Sequence, residues 1–207
     1  MEGILGRKIG MTQVFDDQGR RIAVTVLEAG PCPVVQVKTP ETDGYRAAQL
    51  GFEEQKPSRL AKAEVKHFEK AGVKPCKMTK EFAFDEGTEV KAGDTVTVNI
   101  FEGVKYVDVS GVTKGRGFAG VMRRYRMGGG AMTHGGHSKR RIGSIGARRP
   151  GLVRKGRRMP GQMGAVNRKA RNLAVVEVRG EDNLLLVAGS VPGPKGGVVI
   201  IRKALKK

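Results

Sequence analysis

The sequence predicts a mainly β fold: a small β-barrel, closed or nearly closed, with a helical insertion and a long, irregular cationic loop extension. Short Val-, Ile- and Leu-rich runs separated by turn residues lie on both sides of the middle of the chain. Short strands of this kind, with little helical pattern, are typical of small barrels. The middle differs from both flanks in charge and glycine content, which predicts a segment that leaves the barrel and returns to it.

Residues 1–55 carry several strand signals. Residues 21–30 (RIAVTVLEAG) and 33–39 (PVVQVKT) are Val-rich runs separated by the turn sequence GPCP, and residues 45–52 (YRAAQLGF) give a further candidate. Val-rich runs bounded by turn residues are typical of strands. We therefore expect this region to be rich in β structure.

Residues 56–80 change character and predict the helical insertion. Ser58 can cap the start of a helix, Gly72 can end it, and Pro75 follows the end. The rough apolar stripe that ends at Phe68 predicts one helix at the surface of the protein.

Strand signals return beyond residue 80. In residues 90–103 (VKAGDTVTVNIFEG), Thr and Asn alternate with Val and Ile, which predicts a half-buried strand that continues into residues 104–113. Residues 172–193 hold two apolar runs around RGEDN and predict a hairpin, and residues 196–204 (GGVVIIRKA) predict a last strand.

The positive charge is concentrated in one cationic block, residues 111–171. The chain has 39 Lys and Arg against 20 Asp and Glu, and this block holds 17 of the basic residues, 15 glycines and no acidic residue. Such a block indicates a segment that binds a polyanion. Its 13 Arg against 4 Lys favour bidentate phosphate contacts. Only Phe118 and Tyr125 are aromatic there, so contacts to the backbone of a folded RNA fit better than base stacking.

The same block holds too few apolar side chains to fold around a core of its own. Only eight of its 61 residues are Val, Ile, Leu or Phe, so it either stays flexible or is ordered by a partner. We therefore expect a globular barrel domain from residues 1–110 and 172–207, with the helical insertion at about 56–80, and an extended Gly/Arg-rich RNA-binding loop at 111–171.

The motif GRGFAG offers an alternative reading as a dinucleotide-binding loop. Gly115, Gly117 and Gly120 fit its spacing, but no acidic residue follows about 20 positions later, and the next residues are Arg- and Gly-rich. These glycines better suit backbone amides that approach phosphate closely, beside Lys114 and Arg116. A general nucleic-acid compactor of the histone-like kind is the other alternative.

The remaining residue types predict no metal, no cofactor and no catalysis. His134 and His137 stand three positions apart with no Cys, Asp or Glu nearby, which disfavours a metal site. Cys32 and Cys76 lack CxxC spacing and fit buried thiols in a reducing compartment, most simply the cytosol. The absence of a long apolar run and of a signal-peptide pattern predicts neither a membrane span nor secretion.

Long motifs throughout the chain resemble the bacterial family of the third protein of the large ribosomal subunit. The matching stretches are GRKIGMTQVFDDQGR, PCPVVQVKT, FEGVKYVDVSGVTKGRGFAGVMRR, THGGHSKRRIGSIG, RKGRRMPGQMG and NLLLVAGSVPGPKGG. The resemblance implies a translation-protein-like barrel on the subunit surface whose long loop reaches toward the peptidyl-transferase centre. It further implies a non-enzymatic, cytoplasmic ribosome constituent that binds large-subunit rRNA, meets neighbouring ribosomal proteins and helps nucleate assembly, without membrane contact or homo-oligomers.

The charge pattern and the resemblance together define the candidate site. The resemblance places the loop tip near the peptidyl-transferase centre at Ser144, Ile145, Gly146, Ala147, Arg148, Arg149, Pro150 and Gly151. The expected rRNA-binding residues are Lys8, Lys114, Arg116, Arg123, Arg124, Arg126, His134, His137, Lys139, Arg140, Arg141, Arg148, Arg149, Arg154, Lys155, Arg157, Arg158, Arg168, Lys169 and Arg171.

Overall fold

The computed structural model describes residues 1–84, 90–149 and 151–205. Its strands are β1 (Gly3–Phe15), β2 (Arg21–Ala29), β3 (Cys32–Lys38), β4 (Ala47–Glu54), β5 (Cys76–Phe82), β6 (Thr95–Val96), β7 (Tyr106–Val112), β8 (Phe118–Ala119), β9 (Gly161–Gln162), β10 (Asn167–Arg179), β11 (Leu184–Ala188) and β12 (Val198–Lys203). Its helices are α1 (Pro40–Asp43), α2 (Lys62–Lys70) and α3 (Val121–Tyr125), and Pro57–Arg59 and Val98–Phe101 form short 3₁₀ turns.

Six antiparallel strands close into a barrel in the order β1-β12-β7-β10-β11-β2. Side chains alternate across each strand, so one set points into the barrel. Ile4, Leu27, Val109, Leu185 and Ile201 come from five different strands and are fully buried in one core. The predicted mainly β fold with a small barrel is confirmed.

Two glycines let β1 pass close to its neighbours in the barrel. A Cβ on Gly3 would lie 2.2 Å from the carbonyl oxygen of Ile201, and one on Gly6 would lie 2.4 Å from the carbonyl oxygen of Glu28. No ordinary side chain fits at either position, which explains why this strand carries glycines despite their cost in strands.

A second sheet, of order β5-β4-β3-β6, shares the core of the barrel. Val34, Leu50 and Phe82 from this sheet join the same buried cluster as the barrel side chains. On another side, Phe68 of α2 packs against Val35 and Cys76. The predicted strands at residues 21–30, 33–39 and 45–52 are therefore confirmed as β2, β3 and β4.

The helical insertion is shorter than its sequence suggests. The helix begins at Lys62, and Ser58 lies in the 3₁₀ turn before it, so the expected cap at Ser58 is wrong. Instead, the carboxylate of Glu64 accepts a hydrogen bond from the backbone N–H of Ala61, at 3.1 Å. Gly72, with a φ of +67°, follows the helix end as expected.

Residues 76–82, which fall partly in the predicted insertion, form strand β5. They pair with β4 over six register positions, and the two end residues, Cys76 and Phe82, are buried. Cross-strand pairing with β4 thus overrides the polar, Lys-rich composition between those ends.

The predicted long strand at residues 90–103 is wrong over most of its length. Only Thr95–Val96 form a strand, which pairs with β3, and residues 98–101 form a 3₁₀ turn. Three residues per turn place Val98 and Phe101 on the same side, and both are fully buried. The alternation of polar and apolar residues is therefore compatible with a strand at Thr95–Val96 and with a 3₁₀ turn at Val98–Phe101.

The hairpin and the strands in the second half follow the sequence signals. Strands β10 and β11 pair as predicted, from Val175 opposite Val187 to Arg179 opposite Leu184. Strands β7 and β12 lie within the predicted runs 104–113 and 196–204 and pair with one another.

The chain divides into two compact units: Met1–Val112 with Asn167–Lys207, here called the barrel unit, and Thr113–Val166, here called the extension. The ladder between β7 and β10 continues to the pair Val112 and Asn167, so the barrel strands extend into the cationic block at both of its ends. The extension is accordingly shorter than the 111–171 boundaries drawn from charge.

Candidate nucleic-acid interface

The extension combines high positive charge with exposure. It contains 14 Lys and Arg, 14 glycines and no Asp or Glu. Each of these basic residues is exposed except Arg124, which is half-buried. Because no acidic residue lies within the unit, its cations repel one another, and a polyanion can supply the missing counter-charge.

The outgoing and returning chains of the extension are joined by a narrow antiparallel ladder, here called the base ladder. Strand β8 pairs with β9. The backbone N–H of Thr113 donates to the carbonyl of Val166 at 3.0 Å, that of Arg116 donates to Met163 at 2.8 Å, and that of Met163 donates to Gly117 at 2.9 Å. These bonds hold the base of a unit that has few buried side chains.

Gly164 permits the close approach of the two chains in the base ladder. Its φ is +75°, and a Cβ at this position would lie 2.1 Å from the carbonyl oxygen of Lys114. Both the backbone conformation and the lack of space therefore require glycine here.

The GRGFAG motif does not build a dinucleotide-binding unit. Strand β8 follows Gly117 and has two residues, and helix α3 after Gly120 has only five. A dinucleotide loop joins a buried parallel strand to a long helix, whereas β7, the strand before this motif, pairs antiparallel with β10 and β12. Lys114 directly precedes the motif and Arg116 lies within it, and both are exposed.

Helix α3 is attached to the returning chain through Arg124. Its Nη1 donates to the carbonyl oxygen of Met159 at 2.8 Å. The guanidinium lies 5.0 Å from the ring centroid of Tyr125, and the guanidinium of Arg158 lies 5.8 Å from the same centroid. Arg123 and Arg126 on either side are exposed.

Glycines allow the middle of the extension to fold back on itself. The N–H of Gly130 donates to the carbonyl of Lys139 at 3.1 Å, and a Cβ on the adjacent Gly129 would lie 2.5 Å from that same oxygen. This turn carries the exposed Arg140 and Arg141. His134 and His137 lie in the same turn region and are exposed, with His134 at a φ of +55°.

The expected tip at residues 144–151 makes two hydrogen bonds at Ser144. The Ser144 hydroxyl donates to the carbonyl of Gly146 at 2.9 Å, and the guanidinium of Arg157 donates to the carbonyl of Ser144. Arg148 and Arg149 are exposed. Pro150 lies outside the described residues.

Three expected RNA-binding residues, Arg168, Lys169 and Arg171, lie on barrel strand β10 rather than in the extension. The Lys169 ammonium pairs with a carboxylate oxygen of Asp108 at 3.0 Å, so its charge is compensated within the barrel unit. The other carboxylate oxygen of Asp108 accepts the backbone N–H of Asn172 at 2.8 Å.

Lys8 on β1 serves the barrel in this structure. Its ammonium donates to the carbonyl of Val191 at 2.8 Å, and its backbone pairs with the loop at Gly196 and Gly197. The residue is half-buried. These contacts give Lys8 a role in closing the barrel.

The thiols and histidines form no reactive cluster among the described residues. Cys32 and Cys76 are free and buried, and burial raises the pKa of the Cys32 thiol to about 12, which makes it a poor nucleophile. Within residues 1–84, 90–149 and 151–205, no three His, Cys, Asp or Glu side chains gather as metal ligands would. The helices in those same ranges are all too short or too polar to cross a membrane.

Sequence reasoning missed the contacts of Asp108 and the contrast between Arg124 and its neighbours. Asp108 could have been suspected because it is the last acidic residue before a stretch without acids that ends at Glu177. No sequence signal separates Arg124 from Arg123, since the distinction depends on contacts with a segment 35 residues further along the chain.

The chain is similar to curated proteins along its whole length. It is 50% identical to the large ribosomal subunit protein uL3 of Brachyspira pilosicoli over 208 aligned positions, which cover all of this chain and 95% of that protein. The same protein of Corynebacterium jeikeium (strain K411) is 48% identical, again over all of this chain and 95% of the relative. A family model described as "Ribosomal protein L3" matches residues 53–183. The chain therefore belongs to the ribosomal protein L3 family of the large ribosomal subunit, as its motifs predicted.

Proposed function

We propose that this protein is a structural constituent of the large ribosomal subunit that binds large-subunit rRNA through the extension. One observation carries the proposal: 14 basic residues and no acidic residue fall in one compact unit, and all but one of the 14 are exposed. Because the chain belongs to a ribosomal protein family, large-subunit rRNA is the polyanion that would neutralise this charge. Each exposed arginine can donate two parallel hydrogen bonds to the oxygens of one phosphate, and the glycines let the chain pass through narrow gaps between RNA segments.

The barrel unit has a different part in this proposal. It closes its own sheet around a buried core, so it folds independently of RNA and can bring the extension to rRNA early in assembly. Such a protein helps nucleate the subunit, meets neighbouring ribosomal proteins and works in the cytoplasm. It performs no catalysis of its own and needs neither a membrane nor a second copy.

The binding proposal is tested by crosslinking the purified protein to large-subunit rRNA and reading the crosslinked peptides and nucleotides. We expect crosslinks to concentrate in residues 113–166 and to survive a large excess of duplex DNA. Loss of the complex to duplex DNA would instead indicate a general compactor, and crosslinks confined to the barrel unit would contradict the role of the extension.

We also propose that the tip at residues 144–151 points toward the peptidyl-transferase centre. Replacing Arg148 and Arg149 by Ala removes two exposed charges without touching the barrel core. Reconstituted subunits with this double variant should form peptide bonds at an altered rate, while the thermal unfolding of the free protein stays the same. Unchanged rates would remove the tip from the catalytic neighbourhood.

A further inference from the structure

Arg124 differs from the other basic residues of the extension in its burial. It is half-buried, whereas the remaining 13 are exposed. Its Nη1 donates to the Met159 carbonyl at 2.8 Å, and its guanidinium carbon lies 5.0 Å from the centroid of the Tyr125 ring. The residue thus joins the outgoing helix α3 to the returning chain just before β9.

The returning chain has a space fitted to this guanidinium. A Cβ on Gly161 would lie 2.7 Å from Nη1 of Arg124 and 3.3 Å from its Cζ. Glycine at that position leaves room for the planar group between the two chains. The contact therefore depends on the shape of the arginine as well as on its charge.

Tyr125 holds a second guanidinium beside the first. Arg158 lies 5.8 Å from the ring centroid, within the range of cation–π attraction. In a unit without acidic residues, the electron-rich faces of this ring offset part of the repulsion between two cations. Arg158 itself is exposed, so its donors face solvent or a bound phosphate.

We propose that Arg124 is a positioning residue of the RNA-binding extension rather than a phosphate ligand: with Tyr125 it fastens α3 to the returning chain and holds Arg158 ready for a phosphate. This inference rests on the RNA-binding function proposed above. Lysine cannot replace arginine in this role, because its ammonium lacks the planar, forked guanidinium that fills the space beside Gly161.

The test compares variants that keep the net charge. Arg124→Lys removes the planar group, Tyr125→Leu removes the ring, and Gly161→Ala fills the space that the guanidinium occupies. Two matched controls are Arg123→Lys, an exposed arginine on the same helix, and Tyr125→Phe, which keeps the ring and loses only the hydroxyl.

The first readout is amide hydrogen exchange in the free protein, followed at Arg116 and Met163, whose N–H groups bond within the base ladder. Arg124→Lys and Gly161→Ala should exchange on the order of tenfold faster, which corresponds to the loss of one charged hydrogen bond with its cation–π contact, and Tyr125→Leu should show a smaller increase because it loses the cation–π contact alone. Both controls should match the wild type. Barrel amides of β7 and β10 serve as the internal standard for folding.

The second readout is affinity for large-subunit rRNA as a function of salt. Arg124→Lys should weaken binding by a similar factor at every salt concentration, with the slope of log K against log[salt] unchanged. By contrast, Arg158→Gln should reduce that slope by about one, as loss of one phosphate contact does. The distinction separates a residue that positions from one that binds.

The inference is overturned if Arg124→Lys and Arg123→Lys exchange at the same rate, or if Arg124→Gln lowers the salt slope as much as Arg158→Gln does. If the wild type itself fails to bind rRNA, the proposed function falls, and the exchange comparison still decides whether Arg124 fastens the two chains.

Discussion

Asp108 illustrates at the scale of one residue how a buried carboxylate organises the cationic end of β10. Its two oxygens take the Asn172 N–H and the Lys169 ammonium, at a point where the pairing of β7 with β10 shifts register between Ala170 and Leu173. Asn172 has a φ of +53°, and without Asp108 its N–H would lose this partner. The carboxylate thus stabilises a bulge that ordinary strand pairing leaves unsatisfied.

The Asp108 carboxylate should make the stability of the protein depend on acid pH. Burial alone would raise the pKa of Asp108, but the Asn172 hydrogen bond and the Lys169 ion pair together hold that pKa below its usual value. A folded-state pKa below the unfolded one gives stability that is present above the unfolded pKa and is lost as the pH falls through the folded pKa. The free energy of unfolding should therefore drop below about pH 4.

The variant Asp108→Asn isolates this contribution. The amide oxygen can still accept the Asn172 N–H but carries no charge for Lys169, so we expect a loss of about 1–3 kcal/mol at neutral pH and a weaker acid dependence. Glu177→Gln is the control, since the Glu177 carboxylate pairs with Arg179 in water and should matter little. Denaturant unfolding from pH 7 to pH 3 measures both. Parallel pH profiles for wild type and Asp108→Asn would contradict the assignment.

At the scale of elements, strand β1 depends on glycines at positions where neighbouring backbones crowd it. Gly6 faces the Glu28 carbonyl across the ladder to β2, whereas a Cβ on Gly10, later in the same strand, would meet nothing within 4 Å. The same residue type therefore has opposite importance at two positions of one strand.

We expect Gly6→Ala to destabilise the barrel by about 3 kcal/mol, because the added carbon overpacks a ladder that cannot move apart without losing hydrogen bonds. Gly10→Ala should leave stability nearly unchanged or raise it slightly, since it reduces the freedom of the unfolded chain. Thermal unfolding of the two variants provides the comparison. Equal shifts in Tm would show that the close contact at Gly6 is not what limits this position.

The base ladder makes an analogous demand on Gly164. Gly164→Ala and Gly143→Ala both place a Cβ at a positive φ, but only at Gly164 does that carbon collide with another chain segment. We expect Gly164→Ala to speed hydrogen exchange at the Arg116 and Met163 amides by more than tenfold, beyond the roughly 1 kcal/mol cost that the two variants share. If Gly143→Ala has the same effect on these amides, crowding at Lys114 is not the cause.

For the whole molecule, the sequence predicts the strands whose local pattern agrees with their tertiary setting. Strands β2, β3 and β7 are Val-rich in sequence and also contribute buried side chains to the core. Strand β1 is less apparent because the glycines that its neighbours require weaken its local pattern, and β5 reads as polar because only its two ends are buried. At residues 95–100, by contrast, the local pattern is strong but its prediction of a continuous strand is wrong, because a 3₁₀ turn buries Val98 equally well.

The candidate site divides in the same way. The location of the cationic block follows directly from the positions of Lys, Arg, Asp and Glu along the sequence, because each charge can be counted without knowing the fold. The task of each cation depends on partners far away in sequence: Asp108 lies 61 positions before Lys169, and Met159 lies 35 positions after Arg124. A count of charges along the sequence therefore does not distinguish Lys169 and Arg124 from their exposed neighbours.

The two units also differ in their balance of basic and acidic residues. By sequence the barrel unit has 25 basic and 20 acidic residues, and Glu53, for example, pairs with both Arg7 and Lys77. The extension has cations only. On the proposed function, we expect most of the salt-dependent part of RNA affinity to come from the extension, and little of it from exposed cations of the barrel unit away from β10.

The most direct measurement of this central claim is rRNA affinity against salt for two variants, each with four exposed cations changed to Gln. The extension variant changes Arg140, Arg141, Arg148 and Arg149, and the barrel variant changes Arg59, Lys62, Lys66 and Lys70. With each phosphate contact contributing about 0.7–0.9 to the slope of log K against log[salt], the extension variant should lose about 3 from its slope and the barrel variant almost nothing. Equal losses in the two variants, or a wild-type affinity that does not change with salt, would contradict the account.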